Sequence, residues 1–155
     1  MHRIMVNTAV AQGVGICGID CDPDSNRLTP PIRTLLGSFA QLEFVAVDQM
    51  DAASSLVDSG LPFSHYFINA LADGAFKSGL ARPLALKLAA KTALCAAKSV
   101  AQSSRHPSEM RDDVTAPGGS AVFGIHSLDK AEVASGVSAA LEAAHNRAIQ
   151  MAREG

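Results

Sequence analysis

Residues Arg82–Gln102 read RPLALKLAAKTALCAAKSVAQ, and this stretch decides how the chain can fold. Pro83 falls in the first turn of a predicted helix, where its missing N–H is not needed. The polar side chains follow a single stripe: Lys87, Lys91, Lys98 and Gln102. Nearly every other position holds a small or apolar residue, and a helix with so narrow a polar face is buried on most sides. The stretch therefore predicts a helix that something else must cover.

Alanine becomes frequent after Phe63, and the sequence on both sides of this stretch is also typical of helices. Apolar residues at helical spacing predict further helices over Ser64–Phe76 and Leu128–Arg153. Between them we expect a polar loop over Ser103–Asp113 and a sharp turn at Pro117–Gly119. So short a helical region cannot bury all of its apolar faces, and a second copy of the same chain is the natural cover. The back of the chain therefore predicts an intertwined homodimer.

The front of the chain, residues 1–50, predicts a small mixed α/β region. Three β-prone runs lie between turn signals: Arg3–Asn7, Val14–Ile19 and Phe44–Val47. Pro31–Phe39 is a predicted helix opened by proline. Three strands and one helix bury too little surface to be stable alone. The predicted fold class is α+β, in which this region precedes an all-helical, interdigitated dimerisation domain over residues 51–155.

Composition limits the function classes. The chain has 155 residues, 48% hydrophobic and 18% charged, a balance that excludes disorder as the main state. A net charge of −2 and the absence of a basic run argue against nucleic acid or an anionic membrane as a partner. The longest uncharged stretch, Ile4–Ile19, is too short and too polar to span a bilayer, and no secretory leader pattern occurs. Three cysteines are an odd, sparse set, which favours a reduced, cytoplasmic setting.

Two short motifs bear on cofactors and metals. Gly13–Gly18 matches the dinucleotide pattern G-x-G-x-x-G, but that chemistry needs a helix to begin at the glycines. The residues that follow, Ile19–Pro23, predict a turn instead. An Asp-x-Asp-x-Asp run at residues 20–24 begins like a calcium loop but lacks the glycine and glutamate that complete it. We therefore expect neither a nucleotide cofactor nor a metal for this chain alone.

Three polar segments of small residues lie at the ends of apolar runs: Asn7–Thr8, Asp58–Gly60 and Pro117–Ser120. Backbone N–H groups in a Gly-Gly turn at the start of a helix can hold a carboxylate, so these segments are candidates for a small-molecule site. Ordinary capping, with Asp58 or Ser59 as an N-cap, explains the same residues equally well. At this level both interpretations stay open.

Several motifs occur in a fixed order: Ala70–Gly74, Lys77–Arg82, His106–Pro107 and Arg111–Gly119. In order and spacing, from about Asp51 to Met151, the sequence resembles the dimerisation domain of pyrroline-5-carboxylate reductase. Arg3–Thr8 resembles, more loosely, the R-x-M-P-N-T-P strand near the end of that family's nucleotide domain. The resemblance covers nearly the whole chain but only the C-terminal half to two-thirds of the family.

This resemblance implies a function. Members of the family use NAD(P)H to reduce a cyclic imine acid to proline. Their cofactor lies on an N-terminal Rossmann domain, and their substrate sits between that domain and the helical dimer of the partner chain. The family's glycine fingerprint and most of its parallel sheet have no counterpart in this sequence. Residues 1–50 are therefore expected to be the truncated end of a nucleotide domain, unable by themselves to hold NAD(P)H against a substrate.

The family's substrate-binding motifs are partly altered near the front of the chain. Asn7 and Thr8, which lie near nicotinamide and substrate in the family, are kept, but the two prolines of that motif are not. Where the family has S-G-S-G-P-A, this chain has Val57–Pro62, so that Ser59 is kept and Asp58 puts a carboxylate in place of a glycine. The resemblance thus implies a pocket with a new acidic group.

The third motif surrounds the Gly-Gly turn. Gly118, Gly119 and Ser120 correspond to the family's turn that cradles the substrate carboxylate, and this backbone feature is expected to persist. Alanine replaces a hydroxyl-bearing residue on each side, at Ala116 and Ala121. A lost charge-assisted hydrogen bond costs about 1.5–3 kcal/mol, so we expect weaker binding of the imine acid.

Three hypotheses follow. The first is a redox-silent protein that keeps the dimer pocket and binds or converts a small metabolite, such as one related to an imine or an amino acid. Conversion would be acid–base chemistry such as cyclisation, dehydration or isomerisation, with Asp58 as the acid or base and Asn7, Thr8 and Ser120 as hydrogen-bonding groups. The second is a dimerisation fragment or subunit of an active NAD(P)H-dependent reductase. The third is a structural dimer without a ligand.

Overall fold

The computed structural model describes residues 3–21 and 28–154. The first part of the chain contains three strands and one α-helix: β1 (Ile4–Val6), β2 (Gly15–Ile19), α1 (Pro30–Gly37) and β3 (Ala40–Phe44). Five helices follow: α2 (Met50–Lys77), α3 (Arg82–Ala101), α4 (Pro107–Asp113), α5 (Ser120–Lys130) and α6 (Val133–Glu154). Short 3-10 helices occupy Thr8–Gln12 and Val47–Gln49. The predicted α+β class is confirmed.

The chain forms two compact units. One consists of Met1–Phe63 with Ser138–Gly155, and the other of Ser64–Val137. The domain boundary expected between residues 50 and 51 stays a prediction, because it follows the family's organisation and not the packing within one chain.

The first unit is built on a three-stranded sheet in the order β1-β2-β3. β1 pairs with β2 in antiparallel orientation, and β2 pairs with β3 in parallel. Cys17, Ile19 and Leu28 form the buried cluster beneath the sheet, against which Leu36 and Phe44 pack. Burial raises the pKa of the Cys17 thiol, so this cysteine behaves as a small apolar core residue.

The glycine-rich segment is a turn and a strand. Gly13 has a φ of 72° and caps the 3-10 helix, and Gly15–Ile19 continues as β2. No helix begins at these glycines, so they lack the geometry of a dinucleotide-binding loop, as the sequence predicted. The calcium-like run at residues 20–24 lies largely outside the described residues.

One strand of the first part is shifted from its predicted position. The third strand was expected at Phe44–Val47 but runs over Ala40–Phe44. Apolar and polar residues alternate there as in a half-buried strand, a signal that the sequence-based prediction overlooked in favour of the continuous apolar run beside it. The proline-initiated helix agrees with the predicted bounds within two residues, as Pro30–Gly37.

The second unit, Ser64–Val137, is helical and has a very small core. Every residue of this unit is described, and its only buried residues are Ala72, Ala85 and Ala89. Ile68 and Ala75 pack against these alanines, where α2 meets α3. Large apolar side chains remain exposed in the single chain, among them Tyr66 at 80% and Phe123 at 68%. An apolar surface of this extent indicates a face that a partner covers.

The motif residues at the α2–α3 turn hold that turn together. Arg82 forms an ion pair with Asp73, and its guanidinium lies 5.1 Å from the centre of the Phe76 ring. Asn69 Nδ2 donates to Asp73 Oδ2 at 3.1 Å. Gly79 has a φ of 102°, which a residue with a side chain adopts only under strain. The motif is therefore explained by the geometry of the turn.

Three helix predictions in the back of the chain need correction. α2 begins at Met50 and not at Ser64, because Gly60 and Pro62 read as helix breakers but lie inside the helix. The loop expected at Ser103–Asp113 contains α4, whose N-cap His106 accepts at Nδ1 a hydrogen bond from the Ser108 N–H at 3.2 Å. The single helix expected at Leu128–Arg153 is divided in two where Glu132 has a φ of 52°.

Within the described residues, no helix combines the length and the apolarity needed to cross a membrane.

Candidate functional site

A cavity of about 460 Å³ lies in the first unit, and Asp58 lines it. Asp58 and Ser59 are on the third turn of α2, not at a helix end, so the capping explanation for these two residues is wrong. Five residues of α2 contribute to the wall: Asp51, Ser54, Ser55, Asp58 and Ser59. This spacing places all five on one helix face.

The opposite wall is supplied by α6. His145, Ala148, Ile149, Ala152 and Arg153 line the same cavity. Their spacing repeats that of the α2 residues, so two helix faces border a groove. Arg3, the residue before β1, also lines it and forms an ion pair with Asp51. The groove therefore has a polar wall on α2 and a partly apolar wall on α6.

The two walls are joined by a serine–histidine contact. Ser55, 5% exposed, donates its hydroxyl hydrogen to the Asp51 carbonyl at 2.8 Å and lies 2.9 Å from His145 Nδ1. A hydroxyl has one hydrogen, so His145 Nδ1–H donates to Ser55 Oγ when that hydrogen is on the carbonyl. Nε2 of neutral His145 is then an acceptor.

The Asp58 carboxyl has no hydrogen-bond or ion-pair partner among the described residues. Although the residue stays exposed to solvent, partial desolvation by the surrounding groups raises its pKa above the ordinary value for aspartate. A carboxylate in these surroundings is more basic than usual, and it can accept a proton or an N–H group from a ligand.

Asn7 is occupied by the fold itself. It is 6% exposed, and its Oδ1 accepts from the Ile16 N–H at 3.1 Å. The Asn7 N–H donates to the Ile16 carbonyl at 3.3 Å, so both groups tie the end of β1 to β2. Thr8 begins the 3-10 helix and is exposed. Neither residue lines the groove, so a substrate-binding role for these two stays a prediction.

Gly118, Gly119 and Ser120 belong to the second unit. Gly118 has a φ of 71°, Gly119 is the N-cap of α5, and Ser120 is its first residue. Gly119 offers no side chain to cap the helix, and its own N–H donates to the Ala116 carbonyl at 2.9 Å. The Ser120 and Ala121 N–H groups at the start of the helix have no partner among the described residues. These N–H groups can therefore receive an anion.

Sequence reasoning found Asp58 and Ser59 but missed Arg3, His145 and Arg153 as neighbours in one cavity. A signal existed on α2, where polar residues recur at helical spacing from Asp51 to Ser59. It was hidden because the helix was expected to begin only at residue 64. Nothing in the local sequence links that segment to His145, which follows Ser55 by 90 residues.

The chain is similar to known proteins along most of its length. Residues 47–151 match the family model described as pyrroline-5-carboxylate reductase dimerisation. The chain is 35% identical over 154 residues to the pyrroline-5-carboxylate reductase of Glycine max, covering 96% of this chain and 55% of that protein. It is 38% identical over 122 residues to pyrroline-5-carboxylate reductase 3 of Bos taurus, covering 79% and 40%.

A solved structure of a similar protein has the same fold as this chain. The Plasmodium falciparum pyrroline carboxylate reductase crystallised with NADP bound matches with a TM-score of 0.86 and 25% identity, over 97% of this chain and 61% of that one. This chain spans about half the length of the curated relatives it matches. The family model covers more than half of the chain, and the resemblance seen in the sequence is confirmed. The chain belongs to the pyrroline-5-carboxylate reductase family.

Proposed function

We propose that this chain is the dimer-forming part of a pyrroline-5-carboxylate reductase and holds the carboxylate of the cyclic imine acid at the start of α5. The observation that carries this proposal is the uncapped N-terminus of α5 at Gly118–Ser120, within the segment that matches the family's dimerisation model. Backbone N–H groups and the helix dipole there favour a carboxylate. The exposed apolar faces of α3 and α5 support self-association as an interdigitated homodimer.

Reduction of the imine requires NAD(P)H held against the substrate. In this proposal a nucleotide-binding domain holds the cofactor, either in the same longer polypeptide or in another chain. The edge of a small sheet is a pairing template, so the sheet of the first unit supports such a completion. The Plasmodium falciparum relative was crystallised with NADP bound, which supports the same cofactor class here.

A proline substitution tests the backbone amides directly. Proline is well tolerated at the first position of a helix, and Gly119 has the extended ψ of 158° that a residue before proline prefers. Ser120→Pro therefore removes one N–H while the helix is kept. Ser120→Ala is the matched control, because it removes only the hydroxyl.

The measurement is calorimetric titration of 1-pyrroline-5-carboxylate into each variant. We expect Ser120→Pro to weaken binding about 10- to 100-fold, which corresponds to one charge-assisted hydrogen bond, and Ser120→Ala to weaken it by less. Equal affinities for the two variants, or no binding by the unmodified chain, would contradict the proposal. A parallel titration with NADPH then distinguishes a chain that holds the cofactor from one that needs a nucleotide domain.

A second candidate function is non-reductive acid–base conversion of a small imine or amino-acid metabolite, with Asp58 as the acid or base. Two observations favour it: Asp58 lines a cavity, and burial raises its pKa. Deuterium exchange into 1-pyrroline-5-carboxylate next to the C=N bond, followed by NMR without any nicotinamide, measures this chemistry.

General acid–base groups contribute about 10²–10⁴-fold, so Asp58→Asn should reduce the exchange rate by that factor. Asp48→Asn is the control, because Asp48 lies outside the cavity. A loss of less than tenfold in Asp58→Asn removes this role from Asp58. If no ligand shifts the melting temperature at all, the purely structural dimer is the remaining explanation.

A further inference from the structure

The groove between α2 and α6 contains charged groups that the proposed carboxylate cradle at the start of α5 does not use. Arg3 and Asp51 neutralise each other as an ion pair across its edge. Asp58 and Arg153 also line the groove, but the side chain of neither forms an ion pair or hydrogen bond with another described residue. The groove therefore offers one free negative group and one free positive group.

Two further acceptors belong to residues that line the groove. Pro62 lies inside α2 and has no N–H, so it cannot donate the usual i→i−4 helical hydrogen bond to the Asp58 carbonyl. His145 Nε2 is an acceptor when Nδ1–H donates to Ser55, a contact of 2.9 Å. A ligand group with several N–H donors suits a carboxylate, a carbonyl and an imidazole nitrogen, and an ammonium has three such donors.

Arg153 supplies the complementary end. A guanidinium binds a carboxylate through two parallel N–H donors. Along α6, Ala148, Ile149 and Ala152 form an apolar wall between His145 and Arg153. His145 and Arg153 are two helical turns apart, about 12 Å along the axis at the usual rise of 1.5 Å per residue. Such a wall can accommodate a short methylene chain between two charged ends.

We infer that the α2–α6 groove is a binding site for a small zwitterionic amino acid, whose ammonium is bound at Asp58 and whose carboxylate is bound at Arg153. The residues of this site belong to one compact unit, and those of the carboxylate cradle at the start of α5 belong to the other. The site shares Asp58 with the second candidate function, but it requires only binding and no turnover. The Asp58 pKa, raised by burial, supports the assignment, since an ammonium would compensate a partly desolvated carboxylate.

A chain-length series tests the inference. Glycine, β-alanine, 4-aminobutyrate, 5-aminovalerate and 6-aminohexanoate are titrated into the full chain by calorimetry, with butylamine and butyrate as single-headed controls. We expect at least one zwitterion to saturate the site below about 10 mM and to bind at least about tenfold more tightly than either control, since two charge-assisted contacts replace one.

Two charge-removing variants locate the site. Asp58→Asn and Arg153→Gln should each weaken the best zwitterion at least about tenfold. Asp48→Asn and Arg147→Gln are the matched controls, because both residues lie outside the cavity and should leave binding unchanged. Circular dichroism of each variant verifies that the helices remain folded.

The inference is overturned if no member of the series saturates the chain, if the single-headed controls bind equally well, or if binding ignores Asp58→Asn or Arg153→Gln. These results would leave the reductase proposal intact, because that proposal depends on Ser120→Pro and 1-pyrroline-5-carboxylate. Conversely, zwitterion binding that survives Ser120→Pro would establish the groove even if the cradle at α5 failed its own test.

Discussion

The two compact units of this chain obtain their stability in different ways. The sheet unit buries large side chains of its own, with Ile19 and Cys17 at 0% exposure and Met50 at 1%. The helical unit Ser64–Val137 buries only three alanines within one chain. Since burial of apolar area is the main favourable term in folding, the sheet unit gains part of its stability from a core within the single chain, whereas the helical unit leaves its apolar faces for a partner to cover. One sequence can thus combine a core formed within the single chain with helix faces that become buried only by association.

The largest effect is expected for a charge introduced on the exposed apolar face of the helical unit. Leu88 on α3 is 44% exposed in the single chain, and Lys87 beside it lies on the polar stripe. Leu88→Glu buries two unpaired charges in each symmetric dimer, so we expect the dimer dissociation constant to rise about 1,000-fold, or about 4 kcal/mol. Sedimentation equilibrium measures it. Lys87→Glu should leave the association nearly unchanged, and equal effects of both variants would show that this face is not the interface.

The next effect is expected for a side-chain truncation in the core of the sheet unit. Ile19 is fully buried, and Ile19→Ala removes side-chain atoms from the cluster with Cys17 and Leu28. We expect a loss of about 3 kcal/mol in the free energy of unfolding, from the lost transfer energy and the cavity. Val14→Ala, at a position 64% exposed, serves as the control and should cost far less. Urea denaturation gives both values, and similar midpoints for the two variants would contradict a separate sheet core.

A smaller effect is expected for Asn7, which the family resemblance links to substrate and the structure links to the sheet. Asn7→Ala leaves the Ile16 N–H without its acceptor at 3.1 Å, so we expect about 2 kcal/mol lower stability. Thr8→Ala, at the exposed neighbour, should change stability little. If Asn7→Ala unfolds like the unmodified chain and only ligand binding falls, Asn7 acts on the ligand and not on the fold.

The smallest effect concerns an exposed ion pair of the helical unit. Arg105 Nη1 lies 2.5 Å from Asp113 Oδ2, and the hydrogen bond and charge of Arg105 lower the pKa of Asp113. A lowered carboxyl pKa stabilises the fold above the unfolded value of about 3.9, and that stability is lost as pH falls through the folded pKa. Thermal unfolding between about pH 5 and pH 2 should therefore depend less on pH in Asp113→Asn than in the unmodified chain. Asp129→Asn is the control, and a pH dependence identical in all three proteins would exclude the pair as a contributor.

Much of the fold was predictable because its signals are local. The apolar periodicity and Pro83 predicted α3 almost to the residue, as Arg82–Ala101. The β-prone runs predicted β1 and β2. α2 was predicted only in its second half, because the penalties of Gly60 and Pro62 are local whereas their tolerance depends on packing. The division between α5 and α6 was missed for a similar reason, since Glu132 adopts a positive φ that no local pattern announces.

The candidate site was likewise predictable from the sequence only in part. Asp58, Ser59 and the Gly118–Ser120 turn could be chosen from sequence, since each departs from or repeats a recognisable motif. The residues around them could not be predicted, because a groove forms only when the fold brings together two helix faces that are distant in sequence. The Ser55–His145 contact joins residues 90 positions apart.

The helical character of the back of the chain, its excess of apolar helix faces and its family follow from the amino-acid sequence alone, because they depend on composition, periodicity and motif spacing. That Asp58 lies within a helix, that Asn7 is hydrogen-bonded to Ile16, and that Arg153 lines the same groove as Asp58 became clear from the folded structure. The physical reason is that burial and pairing of a polar group depend on neighbours that the fold, and not the local chain, supplies.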